Sequence, residues 1–150
     1  MISFALSMLL LFAEPMDLEP MCTCIAGKSI EEGIESADLI FEGVVLKQER
    51  YPENWRTHAG ADFLRTFGFG GSVYVFFFAT KKWKGSRLHD LVVSTPVQSS
   101  MCGFQFKDGE KYLVYAHINE SQAMTDICTP TKPAGEAASD RRVLDSLFVD

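Results

Sequence analysis

Apolar residues fall in short β-branched and aromatic runs separated by turn signals, the pattern of a chain built mainly from strands. The strongest run is Val73 to Trp83 (VYVFFFATKKW), ended by Lys84-Gly85. Leu39 to Lys47 predicts another strand, with Gly43 inside it marking a bulge or tight bend. Leu91 to Thr95 predicts a third, stopped by Pro96, and Phe104 to Phe106 a short fourth. Asp108-Gly109 reads as a turn, and Lys111 to His117 (KYLVYAH) as a fifth strand.

Two helices are expected beside these strands. Ser29-Ile30-Glu31-Glu32 is a capping box that should open a short helix through Ser36, with both acids in its favourable first turn. Pro133 is placed to open a C-terminal helix whose apolar stripe is Ala137, Val143, Leu144, Leu147 and Phe148. Several short strands, few helices and long connections predict a mostly-β fold closed into a barrel. The connection from Glu49 to Gly71 runs over more than 20 residues and holds Tyr51, Trp55, Phe63, Phe67 and Phe69. A loop of that length and aromatic content reads either as a flap laid on the barrel or as a partner-contact loop.

With 150 residues the chain has room for one domain, and 47% hydrophobic residues suffice for a core. A formal net charge of -6 argues against nucleic acid as a partner, because phosphate neutralisation needs clustered Lys and Arg. The longest basic run, Lys81-Lys82-Trp83-Lys84, lies at a strand end. Ile2 to Ala13 is uncharged and apolar, too short for a stable membrane span but suited to a signal peptide cleaved after Ala13. The expected organisation is therefore a signal over 1–13, an extended lead-in over 14–21 and one domain over 22–150, in an exported protein that is secreted, extracellular or periplasmic.

Cysteines stand at 22, 24, 102 and 128. Zinc ribbons need two close pairs, and Cys102 and Cys128 are 26 residues apart, so only one half-site is visible in the spacing. An even cysteine count behind a signal-like segment predicts two disulfides. Joining Cys22 to Cys24 would close a strained ring, which leaves two connectivities open.

A family resemblance rests on several of these pieces together. They are Cys-Thr-Cys at 22–24, ESADLIFEGVV at 35–45 and the strand ending in KKWKG, followed by SSMCGFQFKDGEKYLVYA at 99–116 and TDICTP at 125–130. The combination resembles the netrin-like domain of the tissue inhibitors of metalloproteinases, and most closely their short single-domain bacterial-type members, from Cys22 to about Leu147. The resemblance implies an OB-fold-like five-stranded barrel with flanking short helices, and disulfides Cys22–Cys102 and Cys24–Cys128.

It also implies a partner, a zinc metalloprotease, and a way of binding it. An N-terminal Cys22 would offer its α-amino group and carbonyl oxygen to the protease zinc, displacing the water needed for hydrolysis. Thr23 would enter the specificity pocket, with Cys24 and the strip Ser100, Met101 and Cys102 alongside. Metal contact of this kind requires Cys22 to be the mature N-terminus. Cleavage after Ala13 would leave eight residues ahead of it and turn its nitrogen into a non-chelating peptide amide. The alternative is a non-inhibitory interaction module that uses the barrel surface and the 49–71 loop. No catalytic set and no cofactor are expected: His58, His89 and His117 form no metal motif, and the glycines near 70 precede no phosphate-loop Lys.

Overall fold

The computed structural model describes residues 22–24, 28–51, 71–86, 90–97 and 102–148. The expected signal and lead-in, most of the 49–71 connection, and Ser100 and Met101 lie outside the described residues. The strands are β1 (Leu39–Tyr51), β2 (Ser72–Lys84), β3 (Asp90–Pro96), β4 (Lys111–Asn119), β5 (Gln122–Met124) and the two-residue β6 (Lys132–Pro133). Helix α1 spans Ile30–Ser36, and α2 spans Ala138–Leu147 after a 3-10 turn at Ala134–Glu136. No helix among the described residues is long and apolar enough to cross a membrane.

The fold is a closed five-stranded OB-like barrel with short flanking helices. Strands run in the order β1-β2-β3-β5-β4, and β4 returns to pair with β1; β6 adds to the outer edge of β4. All these pairings are antiparallel except β3–β5. Closure needs β1 to bend, and its register against β2 slips after Ile40, after Glu42 and around Leu46. The slip at Glu42/Gly43 is the bulge that the glycine predicts, and bulges increase local coiling. Leu46 is the residue skipped in the ladder and stands 57% exposed.

Inside the barrel, Phe41, Val45, Val75, Phe77, Leu91, Val93, Tyr112 and Val114 form one continuous core. A second core lies outside β1 and β4, where Ile40, Leu113 and Tyr115 pack under Ala137 and Leu144 of the C-terminal segment. Burial of both faces of β4 explains why residues 112–116 are all buried, while its sequence alternates only weakly. Polar groups fix this helix in place. Tyr115 donates to Asp140 at 2.9 Å, and Lys132 reaches the same buried carboxylate at 2.9 Å. Burial first, and then the Asp140 bond, push the Tyr115 hydroxyl far above its usual pKa, so it stays a donor. Trp83 and Lys81 both donate to Asp145 at 2.6 Å.

Glu42 is buried at the β1 bulge, held by Lys111 at 2.5 Å and by Arg141 of α2 at 2.6 Å. Burial alone would raise its pKa, but the bonds from Lys111 and Arg141 outweigh it and hold the carboxyl below the ordinary range.

Three expectations need correction. Phe104 to Phe106 is not a strand: it has no ladder partner and packs its rings on the barrel core, the Phe106 ring centred 5.3 Å from that of Phe77 and 4.9 Å from that of Tyr112. The missing fifth strand is Gln122–Met124, which the Glu120-Ser121 turn brings back against β4. Both turn residues have positive φ, 46° and 73°, a two-residue hairpin turn that Asn-Gly would normally announce. Pro133 opens only the 3-10 turn, and Leu147 is 60% exposed, outside the stripe that Leu144 and Ala137 bury.

Two outcomes follow from these contacts. Glu42→Gln should destabilise the fold by about 2 kcal/mol at neutral pH, because it removes a charge from two charge-assisted bonds. The folded pKa is depressed, so this contribution is complete above the unfolded carboxyl value and is lost as pH falls through the lower folded value. Urea midpoints of both proteins between pH 7 and about pH 3 should therefore converge only at the acidic end. Ser121→Gly should raise stability by roughly 0.5–1 kcal/mol, measured the same way, because glycine adopts positive φ without the Cβ penalty.

Candidate functional site

The site is built by two loops at one end of the barrel, each carrying one cysteine. The first follows β3. Buried Thr95 accepts from the Phe104 amide at 2.8 Å, which ties the segment beginning at Cys102 to the end of β3. Cys102 itself adopts φ 65°, a left-handed conformation that is uncommon for a residue with a side chain. Farther along, Gly109 turns the chain at φ 78°, and the Tyr112 hydroxyl accepts from the Lys107 amide at 3.1 Å while donating to Glu110 at 3.0 Å. Burial, then the Glu110 bond, raise the Tyr112 pKa and keep this hydroxyl protonated.

The second loop joins β5 to β6. Thr125 continues the parallel pairing with a bond to Ser94 at 2.9 Å, and its buried hydroxyl meets those of Thr129 and Thr131 at 2.9 Å each. Thr131 accepts from the Tyr115 amide at 3.0 Å, so the threonine cluster is anchored on β4. Asp126 caps the turn: its Oδ1 accepts from the amides of Cys128 at 2.9 Å and Thr129 at 3.1 Å. Helix α1 supports the loop from below, since a Cβ on Gly33 would collide with the Pro130 ring.

The two loops are joined by the Ile127 amide, which donates to the Cys102 carbonyl at 2.9 Å. Their cysteines hold the N-terminal segment through Cys22–Cys102 and Cys24–Cys128, with Cα–Cα separations of 5.2 and 5.3 Å. Cys22 and Cys24 are half-buried, and Thr23 between them is exposed. Of the residues that the sequence singles out, Cys22, Thr23, Cys24, Cys102 and Cys128 are thus gathered at one edge. Ser100 and Met101, which precede Cys102 directly, are outside the described residues.

Sequence reasoning missed Ile127, which is 44% exposed, bonded through its amide to the Cys102 carbonyl and adjacent in sequence to Cys128. It also missed the Thr125, Asp126, Thr129 and Thr131 scaffold. The run TDICTPT does carry a turn signal, an Asp ahead of amides two and three residues on, but nothing local says that its hydroxyls are buried. No protein-family model matches the chain, and no curated protein sequence matches it.

Asp126→Ala should lower stability by about 1–2 kcal/mol, since two turn amides lose their acceptor. Hydrogen exchange should speed up at the Cys128 and Thr129 amides in particular. Asp126→Asn keeps an acceptor oxygen and should retain most of the protection at both.

Proposed function

We propose that this chain is an exported protein-binding domain whose contact segment is Cys22-Thr23-Cys24, and that its partner is a zinc metalloprotease which it inhibits. The observation that carries the reading is the exposed Thr23 side chain, held on a backbone that is bonded to the barrel through the residues on both sides of it. A segment fixed in this way loses little conformational freedom on binding, so contact energy is kept as affinity. Exposed Ile127 extends the same edge with an apolar side chain. The resemblance to the tissue inhibitors of metalloproteinases, carried by the motifs from Cys22 to Cys128, supports the same segment and supplies the partner class.

In this reading Cys22, as a free N-terminus, places its amine and carbonyl oxygen on the protease zinc, and Thr23 occupies the adjoining pocket. A chain beginning at Cys22 and one beginning at Glu14 should be titrated against zinc metalloprotease catalytic domains. The shorter chain should inhibit and the longer one should not. Thr23→Arg in the shorter chain should weaken inhibition by about 100-fold or more, as expected when a central anchor no longer fits. Absence of inhibition by the shorter chain at micromolar concentration would remove the protease reading.

A second reading draws on the outer face of the β1–β2 hairpin, where Leu46 and Phe78 are 57% and 49% exposed and Lys47 lies over the Phe76 ring at 4.4 Å. There the barrel surface, with the 49–71 loop, serves as a non-inhibitory interaction module. Under it, Leu46→Glu abolishes capture of the partner and Thr23→Arg leaves capture intact.

A further inference from the structure

The two bridges end side by side. The sulfurs of Cys102 and Cys128 lie 3.9 Å apart across the two loops, although the residues are 26 positions apart in the chain. The sulfur of Cys22 joins them in a group whose members all lie within 4.8 Å of one another. The four sulfurs therefore run in series: Cys22 is bonded to Cys102, Cys102 lies against Cys128, and Cys128 is bonded to Cys24. The two middle sulfurs belong to the barrel and the two outer ones to the N-terminal segment. All four cysteines are half-buried, so a thiol in solution has access to the bridges.

We propose that the two bridges form an exchange relay, in which opening one of them joins the barrel cysteines to each other as Cys102–Cys128 and releases the N-terminal segment. The middle pair is held together by bonds that depend on neither bridge. The Ile127 amide donates to the Cys102 carbonyl at 2.9 Å, and Asp126 accepts from the Cys128 amide at 2.9 Å. A thiolate freed at Cys102 thus stays beside Cys128, and such proximity acts as a high effective concentration. Closing to a bonded distance of about 2.0 Å needs the sulfurs to approach by about 2 Å. The segment gains chain entropy once both of its bonds are gone, which favours the exchanged pairing. One bridge is kept throughout, so the relay suits an exported chain in an oxidising compartment. It does not depend on what the segment binds.

The electrons balance with two external thiols. The thiolate of the first attacks the Cys22 sulfur: a mixed disulfide forms there, the Cys22–Cys102 bond breaks and Cys102 leaves as a thiolate. Cys102 then attacks the Cys128 sulfur, the Cys24–Cys128 bond breaks, and Cys24 leaves and takes up a proton. The second external thiol attacks the first at the mixed disulfide and frees Cys22 as a thiol. In sum, two external thiols become one disulfide, and their two protons and two electrons appear in the chain as thiols at Cys22 and Cys24.

The test starts from the full chain with both bridges formed. It is exposed to reduced glutathione, quenched with iodoacetamide at intervals, and its pairings are read by mass spectrometry of non-reduced peptides. The expected half-reduced species has Cys102 joined to Cys128, with Cys22 and Cys24 alkylated or glutathionylated, and it accumulates ahead of the fully reduced chain. Cys24→Ser removes the need for an external thiol, because its Cys128 thiol lies against the Cys22–Cys102 bridge. The free thiol should therefore shift from Cys128 to Cys22. In Cys22→Ser it should shift from Cys102 to Cys24. Plain reduction moves neither, since it opens one bridge and leaves the other in place. Where a serine variant does not fold, the glutathione series on the native chain decides. The proposal is overturned if the main half-reduced species keeps Cys22–Cys102 or Cys24–Cys128, or if the folded variants carry their free thiol at Cys128 and Cys102.

Discussion

Strand β1 pairs with β2 along most of its length and with β4 along its first half, from Leu39↔Ala116 to Val44↔Lys111. That double pairing is the constraint on which the rest of the structure depends. Over that stretch it closes the sheet on itself and covers edges that would otherwise present unpaired amides and carbonyls to other chains. It also forces the bend taken up by the β1 bulges, and it brings the outer faces of β1 and β4 together as a platform for α2. The loops after β3 and β5 meet only because β5 is threaded between β3 and β4.

The platform is secured by a small number of ionised and hydroxyl groups in partly dry surroundings. Glu42 is buried where the ladder slips, and Arg141 reaches it from the C-terminal helix, so one carboxylate ties a bulge to a helix. Asp140 does the same between Tyr115 and Lys132. A lone buried carboxylate would be costly, and two partners for each convert that cost into a specific position for the helix. Neither pair touches the candidate site, but Tyr115 does link them: its amide bonds Thr131 in the scaffold and its hydroxyl bonds Asp140 under the helix.

At the site itself the disulfides and the hydrogen-bonded loops divide the work. Bridging residues 80 and 104 positions apart restricts the unfolded chain, and in a chain-entropy model each long loop contributes up to about 4–5 kcal/mol. The two bridges end on one three-residue segment, so their effects are coupled and do not simply add. What the loops contribute is direction: they decide that Thr23 is presented outward, with Ile127 exposed on the same edge. An exposed side chain on an anchored backbone is the physical basis for reading the edge as a contact surface.

Much of the architecture was legible in the residues. The runs at β1, β2, β3 and β4, the bulge at Gly43 and the capping box of α1 follow from local rules, because side-chain alternation, bulge glycines and helix caps act over only a few residues. Three features were not legible, each for a reason that lies outside its own segment. Gln122–Met124 is too short to show a period, and its turn uses Glu and Ser where glycine or asparagine would signal it. Phe104 to Phe106 has strand composition, yet the barrel interior uses its rings as filling and leaves its backbone without a ladder partner. The meeting of Cys102 with Cys128 depends on β5 pairing parallel to β3, a contact between residues about 30 positions apart in the chain. By itself the sequence determined that the runs of β1, β2, β3 and β4 become strands and that the cysteines would be needed in pairs. Only the tertiary structure decided which sulfurs lie side by side, because closure of the barrel, and no local preference, brings those two loops together.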